Sequence, residues 1–220
     1  MVADVRPRSH SLRGPCILAL GAAGLFGVIA LQVNLGPIGA DVAFLRWLES
    51  IRDPRWTAVM VEVTELGGTL GTAAVMTVAV LGLSLSRHRR AALYVLVTYV
   101  GSVLITRAAK VAFARPRPSS EIVTAITEAR SFSFPSGHAL GTMVLYGSLV
   151  IAAMAIGNRR ATRLSVALAA VVIPWVGVSR CYLGVHFGSD VVAGWALGLA
   201  WLNLTLLLER WALTRRVPPA

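Results

Sequence analysis

GHALGTMVLYGSLVIAAMAIG, residues 137–157, carries no acidic or basic side chain after His138. A helix of ~20 apolar residues is what bilayer hydrocarbon requires, so this run reads as a membrane span. Five further apolar blocks flank it, at roughly 16–34, 57–86, 91–113, 164–184 and 188–208. The block at 57–86 is longer than a straight crossing needs and is expected to tilt or to extend past the membrane. The whole chain of 220 residues is 56% hydrophobic and only 14% charged, a balance that excludes an ordinary soluble domain. The expected fold class is therefore all-α: a six-transmembrane-helix bundle, with residues 1–220 forming a single membrane domain.

The net charge of +11 raises the question of nucleic acid, and the placement of the charges answers it. Arg6, Arg8 and Arg13 precede the first span, and Arg87, Arg89 and Arg90 separate the second from the third. Arg159, Arg160 and Arg163 separate the fourth from the fifth, and Arg210, Arg215 and Arg216 follow the sixth. All four clusters fall on one side of a six-span chain. The positive-inside rule makes that side cytoplasmic, with both termini, in a multi-pass protein of the plasma membrane. The charge is a topology signal with membrane lipids as partners, not nucleic acid; the oligomeric state is not legible. Despite its basic start, the first block is expected to stay as a span rather than act as a leader. Its apolar stretch exceeds a signal core, and no small-residue cleavage site follows.

Of the outer segments, 35–56 holds a short amphipathic stretch at 41–51. Phe44, Leu45, Leu48 and Ile51 fall on one helical face, with Arg46, Glu49 and Asp53 opposite. That predicts a short interfacial helix in the first extracytoplasmic loop, the alternative being an apolar loop packed on the bundle. The segment 114–136 is long for a connection and opens with alternating prolines at Pro116 and Pro118. Gly67 with Gly71, and Gly194 with Gly198, have the spacing that lets helices approach closely. Cys16 and Cys181 fall at opposite ends of their spans and are not expected to pair, and no metal-ligand spacing occurs.

Counting spans brings the chemistry together. Lys110 ends span three, while Ser136, Gly137 and His138 open span four. Span five ends near Ser179 and Arg180, and His186 with Asp190 begins span six. All of these lie at one end of the bundle. Lys110 is the only lysine in the chain, which suits a compact point charge, and Arg115, Arg117 and Arg180 join it. Cations so near hydrocarbon require an anion among them. The helix opening at Ser136-Gly137 favours anionic oxygen through its free N–H groups. His138 and His186 are the two of four histidines in this layer, and Asp190 follows His186 at i,i+4. A carboxylate on one ring nitrogen orients the imidazole and raises the basicity of the other, though Asp190 as a plain helix cap is the alternative.

These residues resemble the type-2 phosphatidic acid phosphatase superfamily, in its membrane lipid phosphatase branch. Lys110 to Pro118 is similar to its K-x6-R-P motif, Pro135-Ser136-Gly137-His138 to P-S-G-H, and Ser179 to His186 to S-R-x5-H. The resemblance covers 110–190, in order and at full spacing. It implies that His186 attacks phosphorus to form a phosphohistidine, that Asp190 orients it, and that His138 protonates the leaving oxygen. It implies that Lys110, Arg117, Ser136, Gly137 and Arg180 hold the phosphate, with no metal and no cofactor. A bell-shaped pH profile is expected, since His138 must be protonated while His186 is neutral.

Glu62, Glu65, Arg107 and Arg115 are further candidates for a substrate cavity. The glutamates either pair with Arg107 or Arg115 or line that cavity. Arg130 on the outer loop is read as a solvated charge.

The implied function is hydrolysis of a lipid phosphate or diphosphate at the extracytoplasmic surface, with polyprenyl diphosphate such as undecaprenyl diphosphate first. Phosphatidic acid and phosphatidylglycerophosphate are alternative substrates, a lipid phosphotransferase is an alternative activity, and a non-catalytic lipid binder or transporter is the rival from another class.

Overall fold

A computed structural model describes residues 12–36 and 38–214. Arg6, Arg8, His10, Arg215 and Arg216, part of the basic clusters, lie outside the described residues. Among those described there are eight α-helices: α1 (Arg13–Asn34), α2 (Gly39–Ser50), α3 (Pro54–Glu65), α4 (Thr69–Leu85), α5 (Arg89–Phe113), α6 (Gly137–Ile156), α7 (Arg159–Tyr182) and α8 (Gly188–Thr214). Helices α1, α5, α6, α7 and α8 are each long and apolar enough to cross a membrane, and α3 with α4 makes a sixth candidate if that bent pair is one span. The architecture is all-helical and multi-pass.

The block expected as one span at 57–86 is two helices, bent by 48° at a short break. Asp53 starts α3, its carboxylate accepting from the backbone N–H of Arg55 and Trp56, with Pro54 at the first helical position. The break falls at Gly67 and Gly68, residues of poor helix propensity, and Gly68 is extended as it opens α4. A Cβ on Gly71 would lie 2.1 Å from the Glu65 carbonyl oxygen, so the glycine lets α4 restart against the end of α3. Gly67 instead lies against Val176 of α7. Gly194 and Gly198 do lie between helices: added Cβ atoms would meet the carbonyl oxygens of Ser136 and Leu140, so α8 runs close along α6.

Helix α2 forms, but its buried stripe differs from the one expected. Asp41, Leu45 and Leu48 are buried, whereas Phe44, Trp47 and Ile51 are exposed. The inward stripe is set by the core that α2 meets, where Leu45 and Leu48 pack with Val123, Leu183, Val185 and Phe187. The segment 114–136 is clasped to the same end of the bundle. Arg52 donates to the carbonyls of Tyr182 (2.8 Å) and Thr124 (2.8 Å), and Glu49 accepts from the Thr124 N–H at 2.8 Å. Phe134, fully buried, stacks on Phe26 of α1 and meets Phe113 of α5 edge-on. These anchors deliver Pro135 and Ser136 to the start of α6. At the opposite end, Arg87, Arg89, Arg90, Ile156 and Glu209 border one cavity, so the α4–α5 turn meets the ends of α6 and α8 there.

Candidate active site

The short α7–α8 connection holds His186 with its ring almost wholly buried. His186 Nδ1 lies 3.3 Å from Asp190 Oδ2, one turn along. Asp190, fully buried at the start of α8, also accepts from Ser133 Oγ (2.5 Å), the Phe187 N–H (3.0 Å) and Arg115 Nη1 (2.5 Å). With Nδ1–H directed to this carboxylate, the lone pair sits on Nε2, 3.2 Å from Arg117 Nη1. Burial pushes the His186 pKa down to about 3, with the Asp190 hydrogen bond and charge opposing and Arg117 and Arg180 adding to the fall. The ring is therefore neutral, as a nucleophile must be. Burial also lowers the Arg117 pKa, against the pull of Asp190.

A cavity of about 440 Å³ opens from this ring, lined by Lys110, Arg117, Gly137, His138, Arg180 and His186 among others. Lys110 Nζ reaches the Phe132 carbonyl, and a Cβ on Gly137 would come within 3.3 Å of Thr106 and 3.9 Å of Lys110, crowding the approach. Arg180 Nη1 donates to Thr64 Oγ1 at 2.7 Å, while its buried Nε has no partner among the described residues. Ser136 is fully buried as the N-cap of α6: its Oγ accepts from the Ala139 N–H at 3.5 Å, and its own N–H donates to the Asp190 carbonyl at 2.9 Å. Helices α5, α6 and α7 with the two connections after α5 and α7 thus bring two imidazoles, Lys110, Arg117, Arg180 and a helix N-terminus to one pocket. This constellation suits a phosphoryl group: donors surround it and a neutral nitrogen faces it.

Arg107 and Arg130 line the cavity; Glu62, Glu65 and Arg115 do not. Arg115 is a correction, because it is buried between Asp41 (3.1 Å) and Asp190 (2.5 Å) and so is taken up by two carboxylates. Glu62 and Glu65 are exposed and form no ion pair with Arg107 or Arg115; Glu65 acts electrostatically on Arg180 instead. Arg130 pairs with Glu128 at 3.5 Å on the exposed loop. Sequence reasoning passed over Ser133 and Asp41. The signal for Ser133 was a lone polar residue between two aromatics just before the P-S-G-H run. Among the described residues, no group of three His, Cys, Asp or Glu could hold a metal ion.

Residues 91–213 match the model of the PAP2 superfamily. The chain belongs to that superfamily. This PAP2 protein is 29% identical over 179 residues to phosphatidylglycerophosphatase B of Bacillus subtilis, covering 79% of this chain and 86% of that one. It is 29% identical over 129 residues to an undecaprenyl-diphosphatase of Sulfolobus acidocaldarius, covering 57% and 58%. A crystal structure of a transmembrane PAP2-type phosphatidylglycerolphosphate phosphatase from Bacillus subtilis superposes with a TM-score of 0.74 at 28% identity, covering 90% of this chain and 96% of that one.

Proposed function

We propose that this chain, a lipid phosphatase of the PAP2 superfamily, hydrolyses a polyprenyl diphosphate, such as undecaprenyl diphosphate, at the extracytoplasmic face of the plasma membrane. The observation that carries the reading is the single cavity bordered by both His138 and His186 with Lys110, Arg117 and Arg180. His186 Nε2 attacks the terminal phosphorus as the bond to the bridging oxygen breaks, and His138 gives that oxygen its proton. Water then attacks the phosphohistidine with His138 taking the proton back, which releases inorganic phosphate and restores neutral His186. Lys110, Arg117, Arg180 and the α6 start at Ser136 and Gly137 hold the phosphate oxygens, doing electrostatically what a metal does elsewhere. Asp190 orients the ring and stabilises its positive charge in the intermediate.

In this reading residues 1–220 form one membrane domain, with the site built on 110–190. The chain crosses six times, α3–α4 counting as one bent span, both termini are cytoplasmic, and α2 lies at the outer interface. The placement of basic residues supports this orientation, and the outward Phe44, Trp47 and Ile51 support the interfacial α2. Arg107 borders the cavity one turn below Lys110, and it is assigned to a second anionic group of the substrate.

Phosphatidylglycerophosphate is the second reading, favoured by the likeness to phosphatidylglycerophosphatase B over most of both chains. Both substrates carry a second phosphate; phosphatidic acid does not. The test is phosphate release in detergent, with chelator present, from polyprenyl diphosphate, phosphatidylglycerophosphate and phosphatidic acid. Wild type should release phosphate and His186→Ala should not; equal release by the two would end the assignment of His186.

A further inference from the structure

Asp41 belongs to no motif and lies on α2, outside the residues that match the superfamily model. It is nonetheless buried, and it is held on every side by the active-site end of the bundle. Its Oδ1 accepts from the Ser189 N–H at 2.8 Å, and its Oδ2 accepts from Ser189 Oγ and from Arg115 Nη2 at 3.1 Å. Arg115 lies over the Phe187 ring, 4.1 Å from its centroid, and its other terminal nitrogen reaches Asp190 Oδ1 at 2.5 Å. One guanidinium is thus shared by two carboxylates. Asp190 touches His186; Asp41 does not border the cavity.

We propose that Asp41 is a positioning residue for the phosphatase reaction, acting through Arg115 on Asp190 and so on His186. The inference rests on the reading of His186 as the nucleophile. When Nε2 takes phosphorus and Nδ1 keeps its proton, the ring becomes cationic, and Asp190 must carry negative charge to match it. A buried arginine bound to Asp190 alone would cancel that charge. Bracketed by Asp41 as well, the three groups carry a net charge of minus one beside the ring. Among the described residues, the other charged side chains acting on or beside the pair are Lys110 on α5, Arg117 in the loop before α6 and Arg180 on α7, all cationic. The same contacts fix Arg115 in place, since Ser189 Oγ accepts from Arg115 at 2.8 Å while donating to Asp41.

The test is a double-mutant cycle of wild type, Asp41→Asn, Arg115→Gln and the combined variant. Steady-state kinetics on polyprenyl diphosphate would be measured in detergent beside the 15N spectrum of the histidine rings. Asp41→Asn should lower kcat about tenfold with KM within about twofold, and weaken the His186 Nδ1–H hydrogen bond seen in the spectrum. The combined variant removes one charge of each sign, restores minus one beside the ring, and should recover most of that kcat. A combined variant no faster than Asp41→Asn, or a loss confined to KM, overturns the proposal. If Asp41→Asn does not fold, Arg115→Gln against the combined variant decides: with the arginine gone Asp41 has no route to Asp190, so the two kcat values should agree within about twofold, and a larger difference overturns it. Failure of the parent reading looks different, because His186→Ala would then retain activity whatever the cycle shows.

Discussion

Ser133 Oγ donates to Asp190 Oδ2 at 2.5 Å while standing 3.3 Å from His186 Nδ1. The serine sits in the loop before α6, so the hydroxyl ties that loop to the orienting carboxylate of α8. Hydrogen bonds to a buried carboxylate are the strong ones, worth about 1.5–3 kcal/mol. Ser133→Ala should therefore lower kcat about 10- to 100-fold, with KM nearly unchanged because Ser133 is not among the residues lining the cavity. Kinetics on the purified variant check this; a rise in KM at constant kcat would instead put Ser133 in substrate binding.

The His186 pKa, pushed down to about 3 chiefly by burial, fixes the acid side of the pH profile. A lowered imidazole pKa means the neutral, nucleophilic form persists as pH falls, so protonation of His186 takes no activity between pH 7 and 5. The bell expected from two ordinary imidazoles therefore loses the acid limb that His186 would have set. A 13C-histidine titration follows His186 directly. Its ring signal should stay in the neutral position down to about pH 5; a midpoint near the ordinary imidazole value would contradict the burial argument.

Much of this site was legible because each motif is a short run whose internal spacing fixes its own geometry. The spacing of His186 and Asp190 suggested their contact, although His186 lies in the connection before α8, and span parity placed Lys110, His138 and His186 at one end. Beyond Ser133, Asp41 and the inward stripe of α2, two features escaped. The bend at Gly67–Gly68 hides inside an apolar run that hydropathy reads as continuous, since hydropathy carries no information on helix direction. Arg115 and Arg117 look alike in the Arg-Pro-Arg-Pro stretch, yet one is buried against Asp41 and the other borders the cavity. That difference depends on a contact between residues 74 apart in the chain, which no local pattern encodes.

Gly194 tests the packing beneath the phosphate site. A Cβ there would lie 2.7 Å from the Ser136 carbonyl oxygen and 3.0 Å from the Ala139 Cβ. Backbone cannot yield as a flexible side chain does, so α8 must move away from the α6 N-terminus. Gly194→Ala should cost about 1–3 kcal/mol of stability. It should also strain the Ser136 N–H bond to the Asp190 carbonyl, which couples the two halves of the site. Thermal unfolding in detergent, read beside phosphate release, should show both falling; Gly82→Ala on α4, where an added Cβ meets nothing within 4 Å, is the control.

Arg107 decides between substrate classes. It borders the cavity with Lys110 on one face of α5 and makes no ion pair among the described residues, so its guanidinium is available to an anion there. Thr72, Tyr99 and Ser102 continue the cavity wall below it, so there is polar space beyond the phosphate position proposed at His186. If a second phosphate sits there, Arg107→Gln removes binding shared by ground and transition states, raising KM with little change in kcat. For polyprenyl diphosphate the rise should be about tenfold, the value of one charge-assisted contact. For polyprenyl monophosphate with the same tail it should be less than about twofold, because no group reaches Arg107. Comparing the two substrates on wild type and Arg107→Gln cancels tail binding. An equal rise for both would assign Arg107 to the membrane interface, its side chain reaching up to lipid headgroups rather than to the leaving group.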